Sequence, residues 1–173
     1  MAILEILTYP DPRLSREADD VTDFDDPAFQ QLVDDLEETM EASPGCVGVA
    51  APQAGRLVRL LVMDCGLARK PMAGHHGRLI VVNPEILKWA GMEVAREGCL
   101  SLPDYTGNVM RAVEVKVRFQ DRRGRERIAE FTGFEARLYQ HEADHLDGKL
   151  FLDRVVSRKA DLFKRKNYGQ AKK

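Results

Sequence analysis

The chain reads as an α+β protein, because its strand-like runs cluster before and between helices instead of alternating with them. Two helical patterns, at residues 25–43 and 134–146, repeat their apolar side chains at three- and four-residue spacing. The run AVEVKVRFQ, residues 112–120, instead alternates apolar and charged residues, as a strand with one wet face does.

Taken in order, DDPAFQQLVDDLEETMEAS opens with acids and Pro27, suited to a helix start. It then repeats Phe29, Leu32, Val33, Leu36 and Met40 on one stripe. PGCVGVAAPQAG follows, framed by proline and glycine, and predicts a loop or an irregular strand. VRLLVMD and RLIVVNP are short aliphatic runs that predict strands. DRRG, residues 121–124, turns AVEVKVRFQ into RERIAEFTG and predicts a hairpin. The second helical pattern sets Phe134, Leu138, His141 and His145 on or near one stripe. A basic helix is expected over residues 157–168. No internal repeat or low-complexity linker divides the chain.

A length of 173 residues fits one domain whose core needs no staples. Hydrophobic residues at 44% and charged residues at 31% are soluble globular proportions. With 26 basic against 28 acidic residues there is no net field for nucleic acid, so specific DNA binding is not expected. No run is long and apolar enough to span a bilayer, so no membrane partner is expected. The opening MAILEILTYPDPRLS lacks the regions of a signal peptide and the Arg/Ser-rich character of a transit peptide. Cys46, Cys65 and Cys99 make no disulfide framework, and the expected compartment is the cytoplasm.

QHEADHLDG, residues 140–148, carries the chemistry. His141 and His145 are i and i+4, so a helix aims both imidazoles at one ion. Glu142 stands about 100° round the helix, beside that ion as a base. A polar helix surface produces the same pattern by chance, and a catalytic site needs a third ligand. No histidine follows, against the usual zinc-protease continuation. The candidates are Cys46, Cys65, Cys99, His75 and His76. His75 and His76 sit in a Gly-rich loop that reads as solvated, and Cys65 ends a strand and reads as buried. Cys99 lies in EGCLSLP, a bent edge segment that leaves it either facing a ligand or buried as a small apolar side chain.

GVAAPQ (48–53), EGCLSLP (97–103) and QHEADHLDG (140–148) together resemble the three motifs of peptide deformylase, in that family's order and separation. ILTYPDPRL and the helix before the first motif extend the resemblance over nearly the whole chain. It implies one catalytic domain over residues 1–173, with antiparallel or mixed sheets around a central metal-binding helix. An N-terminal helix and a basic C-terminal helix or tail over residues 157–173 complete it. The implied activity is metal-dependent removal of the formyl group from the N-terminal formyl-methionine of nascent polypeptides, releasing formate. A metal-bound water would attack the formyl carbon.

On that resemblance Cys99, His141 and His145 carry over as metal ligands and Glu142 as general acid/base. Gln53 and the Leu100 N–H carry over as oxyanion donors. The family implies Fe2+ first and Zn2+ second, with Ni2+ or Co2+ compatible with the ligand set. Val47, Gly48, Phe134 and Leu138 are candidates for the methionine pocket. Asp144 is expected to pair with Arg111, tying the metal helix to the strand after the cysteine motif. SRKADLFKRKNYGQAKK is expected to dock on the ribosome or to stay a solvated basic tail. The first motif departs from the family, with Cys46 where glycine is usual and Val49 for leucine; Cys46 reads as a packed small side chain. Two other readings stand beside this one. The first is another HExxH-type metallo-amidase or endopeptidase. The second is a non-catalytic module whose structural ion takes Cys46 as fourth ligand.

Overall fold

In the computed structural model, which describes residues 2–70 and 72–165, the first helix begins where its capping residues dictate. Helix α1 (Pro27–Ala42) has Pro27 in its first turn, and the Asp26 carboxylate accepts the Ala28 N–H at 2.9 Å. Phe29, Val33, Leu36 and Met40 are buried on one face, with Leu32 packed at its margin.

That face lies on a five-stranded antiparallel sheet of β1 (Gly48–Ala50), β2 (Leu60–Asp64), β3 (Arg78–Ala90), β6 (Glu114–Gln120) and β7 (Glu126–Thr132), ordered β1-β2-β3-β6-β7. Strand β2 is apolar and buried from Leu60 to Met63 because it is covered on both faces. Leu60 and Val62 point into the cluster with α1, whereas Leu61 and Met63 point into the cluster with α2 (Gly133–Leu146). The expected hairpin of β6 and β7 is present. Asp121 caps its turn by accepting the N–H groups of Arg123 and Arg125.

A second, three-stranded sheet, ordered β4-β5-β8, is built from β4 (Glu93–Cys99), β5 (Leu102–Arg111) and β8 (Leu162–Lys164). The register shifts between Gly98 and Cys99, which bends the cysteine segment as its sequence suggested. Among the described residues β4 and β1 are each an edge strand of their sheet, and Gly48 of β1 and Glu97, Gly98 and Cys99 of β4 line the cleft described below. The expected C-terminal helix is present as a single turn, α3 (Arg158–Asp161), before the chain extends into β8. Leu162 and Phe163 are half-buried against β5, and this pairing with an existing strand outweighs helix propensity. Residues 166–173, and with them nearly half of the expected docking segment, lie outside the described residues.

Helix α2 ends in a glycine stop. Gly148 has φ 67°, its N–H donates to the His145 carbonyl, and the Lys149 N–H donates to the Asp144 carbonyl. A Cβ at Gly148 would lie 2.8 Å from the Ser15 carbonyl. Gly148→Ala therefore combines a left-handed backbone with a backbone collision. We expect it to lower stability by about 2–3 kcal/mol, seen as a reduced urea midpoint. An unchanged midpoint would contradict this account of the helix end.

Candidate metal centre

Ten of the fourteen residues of α2 are buried, and six of these are polar or charged: Glu135, Arg137, His141, Glu142, Asp144 and His145. Burial on that scale is tolerable only if each polar group has a partner or a ligand. His141 and His145 stand one turn apart with ring centroids 5.2 Å apart. Cys99 ends β4 with its Sγ 3.4 Å from His145 Nε2. One ligating atom from each of Cys99, His141 and His145 lies within 4.8 Å of the others. Among the described residues this is the group of three such side chains placed to hold an ion.

The donor set fits a single divalent cation. Glu97 engages His141 Nδ1 at 2.8 Å, which leaves Nε2 as the ligating nitrogen. Burial alone would push the Cys99 thiol up, but His145 and His141 hold it well below its ordinary value, toward the thiolate that ligates metals. Burial opposes charge on His141 too, yet Cys99 and Glu97 raise it well above the usual imidazole value. A thiolate and two imidazoles make three ligands, which leaves an ion of tetrahedral preference one open position.

Glu142 lines the same space. Burial raises its carboxyl above the usual range, and its Oε2 is buried without a hydrogen-bond partner among the described residues. Gly48 makes room for it, since a Cβ there would sit 2.9 Å from both Glu142 Cγ and Oε1. Gln53 is buried beneath Cys99. Its Oε1 accepts the Ala50 N–H at 3.0 Å, which turns Nε2 toward Ser101 Oγ at 3.1 Å and Cys99 Sγ at 3.4 Å. Val47, Gly48, Leu100, Phe134 and Leu138 all border the cleft, whose volume is about 290 Å³. Cys46 borders it as well, but its thiol donates to the Gly48 carbonyl at 3.0 Å, and burial pushes its pKa up to about 12.

Behind the histidines is a buried charge network, only part of which sequence reasoning reached. Arg111 Nη1 donates to Asp144 at 2.6 Å, joining α2 to β5. Three members were missed. Glu97 receives both Arg111 Nε and Nη2 and also Arg137 Nη1, while Arg154 grips Asp144 through Nε and Nη2. The signal for Glu97 was its place two residues before Cys99, on the same face of a strand. Arg137 precedes His141 by one helical turn; Arg154 has no local signal. His76 departs from its solvated reading. It engages buried Glu135 at 2.9 Å and meets Phe131 edge-on at 5.3 Å, with its side chain 41% exposed. Cys65 is buried as expected.

An α+β frame, a buried Cys/His/His group able to hold a metal ion and an unpartnered carboxylate in an open cleft fit one class, the metal-dependent hydrolases. Comparison with known proteins narrows it. A profile of the polypeptide deformylase family matches residues 3–161. A peptide deformylase of Syntrophobacter fumaroxidans is 45% identical over 166 residues, covering 96% of this chain and 94% of that one. The crystal structure of a peptide deformylase from Legionella pneumophila superposes with a TM-score of 0.82 at 40% identity, over 91% of this chain and 89% of that one. A Met-Ala-Ser-bound structure of the class I type b enzyme from Acinetobacter baumannii gives a TM-score of 0.81 at 33% identity, over 89% and 99%. The chain belongs to the polypeptide deformylase family.

The Asp144 contacts set a pH-dependent prediction. Burial opposes its ionisation, but Arg154 and Arg111 outweigh this and hold its carboxyl below the ordinary value. The stability it contributes is therefore full above the unfolded pKa of about 3.9 and is lost as pH falls through the lower folded value. We expect Asp144→Asn to lower stability by about 3 kcal/mol at pH 7, with the gap closing below pH 4, measured by urea unfolding. A gap that does not change with pH would contradict the ionised pair as its source.

Proposed function

We propose that this protein removes the formyl group from the N-terminal formyl-methionine of nascent polypeptides, releasing formate. The observation that carries the reading is Glu142, a buried and unpartnered carboxylate on the turn between two histidines that converge on Cys99. Cys99, His141 and His145 would hold the ion, for which the soft thiolate suits Fe2+ first and Zn2+ second, with Ni2+ or Co2+ also accommodated. When bound there, the ion supplies a Lewis acid that activates a water molecule and polarises the formyl oxygen.

The chain's own groups do the rest. Glu142 accepts the proton of the attacking water and delivers it to the departing amine nitrogen; its raised pKa brings it closer to neutral pH, where both transfers are feasible. The Gln53 side-chain amide and the Leu100 N–H donate to the oxyanion as charge develops. Gln53 suits that role because Ala50 fixes the orientation of its amide. Val47, Phe134 and Leu138 offer apolar walls for the methionine side chain, and Gly48 lets the peptide approach Glu142. The edge strands β1 and β4 flank the cleft and suit an extended peptide backbone. The Met-Ala-Ser ligand of the Acinetobacter relative supports a methionine-first peptide in that cleft. We place the reaction in the cytoplasm; no helix among the described residues is long and apolar enough to cross a membrane.

A structural ion held by a fourth ligand, Cys46, is less well supported. Among the described residues the metal-capable group comprises Cys99, His141 and His145 without Cys46. The test is formate release from formyl-Met-Ala-Ser by protein loaded with ferrous iron under anaerobic conditions. Glu142→Gln should retain one equivalent of metal while its kcat falls about 10²- to 10⁴-fold. Metal-loaded wild type that releases no formate would overturn the proposal.

A further inference from the structure

The rim of the cleft carries a cation that the proposed reaction leaves unused. Arg165 directly follows β8, and its backbone N–H donates to the Asp104 carbonyl at 2.7 Å. Its guanidinium folds back over Gly98, the neighbour of Cys99, and occupies the space that a side chain at 98 would need. Arg96 also borders the cleft but is committed elsewhere. It donates to Asn108 at 3.1 Å and Thr106 at 3.3 Å and lies over the Phe163 ring, 3.7 Å from its centroid. That stacking clamps β8 to the sheet and so fixes where Arg165 emerges.

No carboxylate among the described residues pairs with Arg165. The two acids that border the cleft are otherwise placed: Glu97 is filled by Arg111, Arg137 and His141, and Glu142 is buried at the floor. The rim is therefore positive, and a formylated amino terminus brings no charge of its own to it. An extended peptide advances about 3.3 Å per residue, so its second and third residues come within reach of a guanidinium beside Cys99. A guanidinium's forked donors match a carboxylate in geometry and charge.

We propose that Arg165 is a specificity residue that favours formyl-methionyl peptides with an acidic side chain at the second or third position. This rests on the deformylase reading of the cleft, and the experiment separates the two. The metal-loaded enzyme is given formyl-Met-Glu-Ala-amide, formyl-Met-Lys-Ala-amide, formyl-Met-Ala-Glu-amide and formyl-Met-Ala-Lys-amide, and kcat/KM is measured at low salt. The wild type should prefer glutamate over lysine about two- to fivefold at one or both positions, as expected for a solvent-screened pair. Arg165→Gln should bring the ratio close to one, and Arg165→Glu should invert it. Equal rates in the wild type, or a glutamate preference that survives Arg165→Glu, would overturn the Arg165 inference and leave the deformylase reading standing. Formate release from none of the four peptides would overturn both.

Discussion

The carboxylate of Glu97 is the contact on which the rest of the centre depends. It accepts four hydrogen bonds, from His141 Nδ1, Arg111 Nε and Nη2, and Arg137 Nη1, which fill its acceptor sites. The partners come from α2 and β5, while Glu97 itself belongs to β4, two residues before Cys99. One buried side chain thus joins β4, which carries Cys99, to β5 and to α2, which carries His141 and His145. Burial raises the cost of charging Glu97, but His141 and Arg111 outweigh it and keep its carboxyl far below the usual range. Removing it would leave Arg111 and Arg137 as buried cations with less than their complement of anions, a state costlier than the loss of one hydrogen bond.

The apolar part of the fold makes this polar interior affordable. Strand β2 divides its side chains between two clusters, one under α1 and one under α2, and those clusters support a central helix that carries six buried polar residues. Asp144 and Arg154 extend the network from the helix to the segment after it, while Gly148 lets the chain reverse against Ser15. What remains without a partner among the described residues in that helix, Glu142 Oε2 and His145 Nδ1, sits next to the converging side chains of Cys99, His141 and His145. The other buried polar side chains of that helix have partners, which makes those two atoms informative.

The sequence was most legible where a local period or cap decides the outcome. Residues 25–43 carry an N-cap and an apolar stripe, and α1 follows; DRRG carries turn chemistry, and the β6–β7 hairpin follows. The i, i+4 histidines and Cys99 were legible as a constellation, and the structure brings them together. Long-range pairing was not legible. Strands β4 and β5 combine polar residues, glycines and exposed Val94 and Met110, so no alternation announced them. The extension into β8 depends on β5 being present to pair with. Arg137 reaches Glu97 across 40 residues and Arg154 reaches Asp144 across 10, and the burial of Glu97, Arg137 and Asp144 is invisible without those partners.

The most direct measurement of the account is the metal dissociation constant of Glu97→Gln against wild type, by competition with a chelator at pH 7. Glutamine preserves shape but cannot balance two buried guanidinium groups or hold His141 with a full negative charge. The account predicts binding weakened about 10- to 100-fold. A dissociation constant equal to that of wild type, in a folded variant, would contradict it.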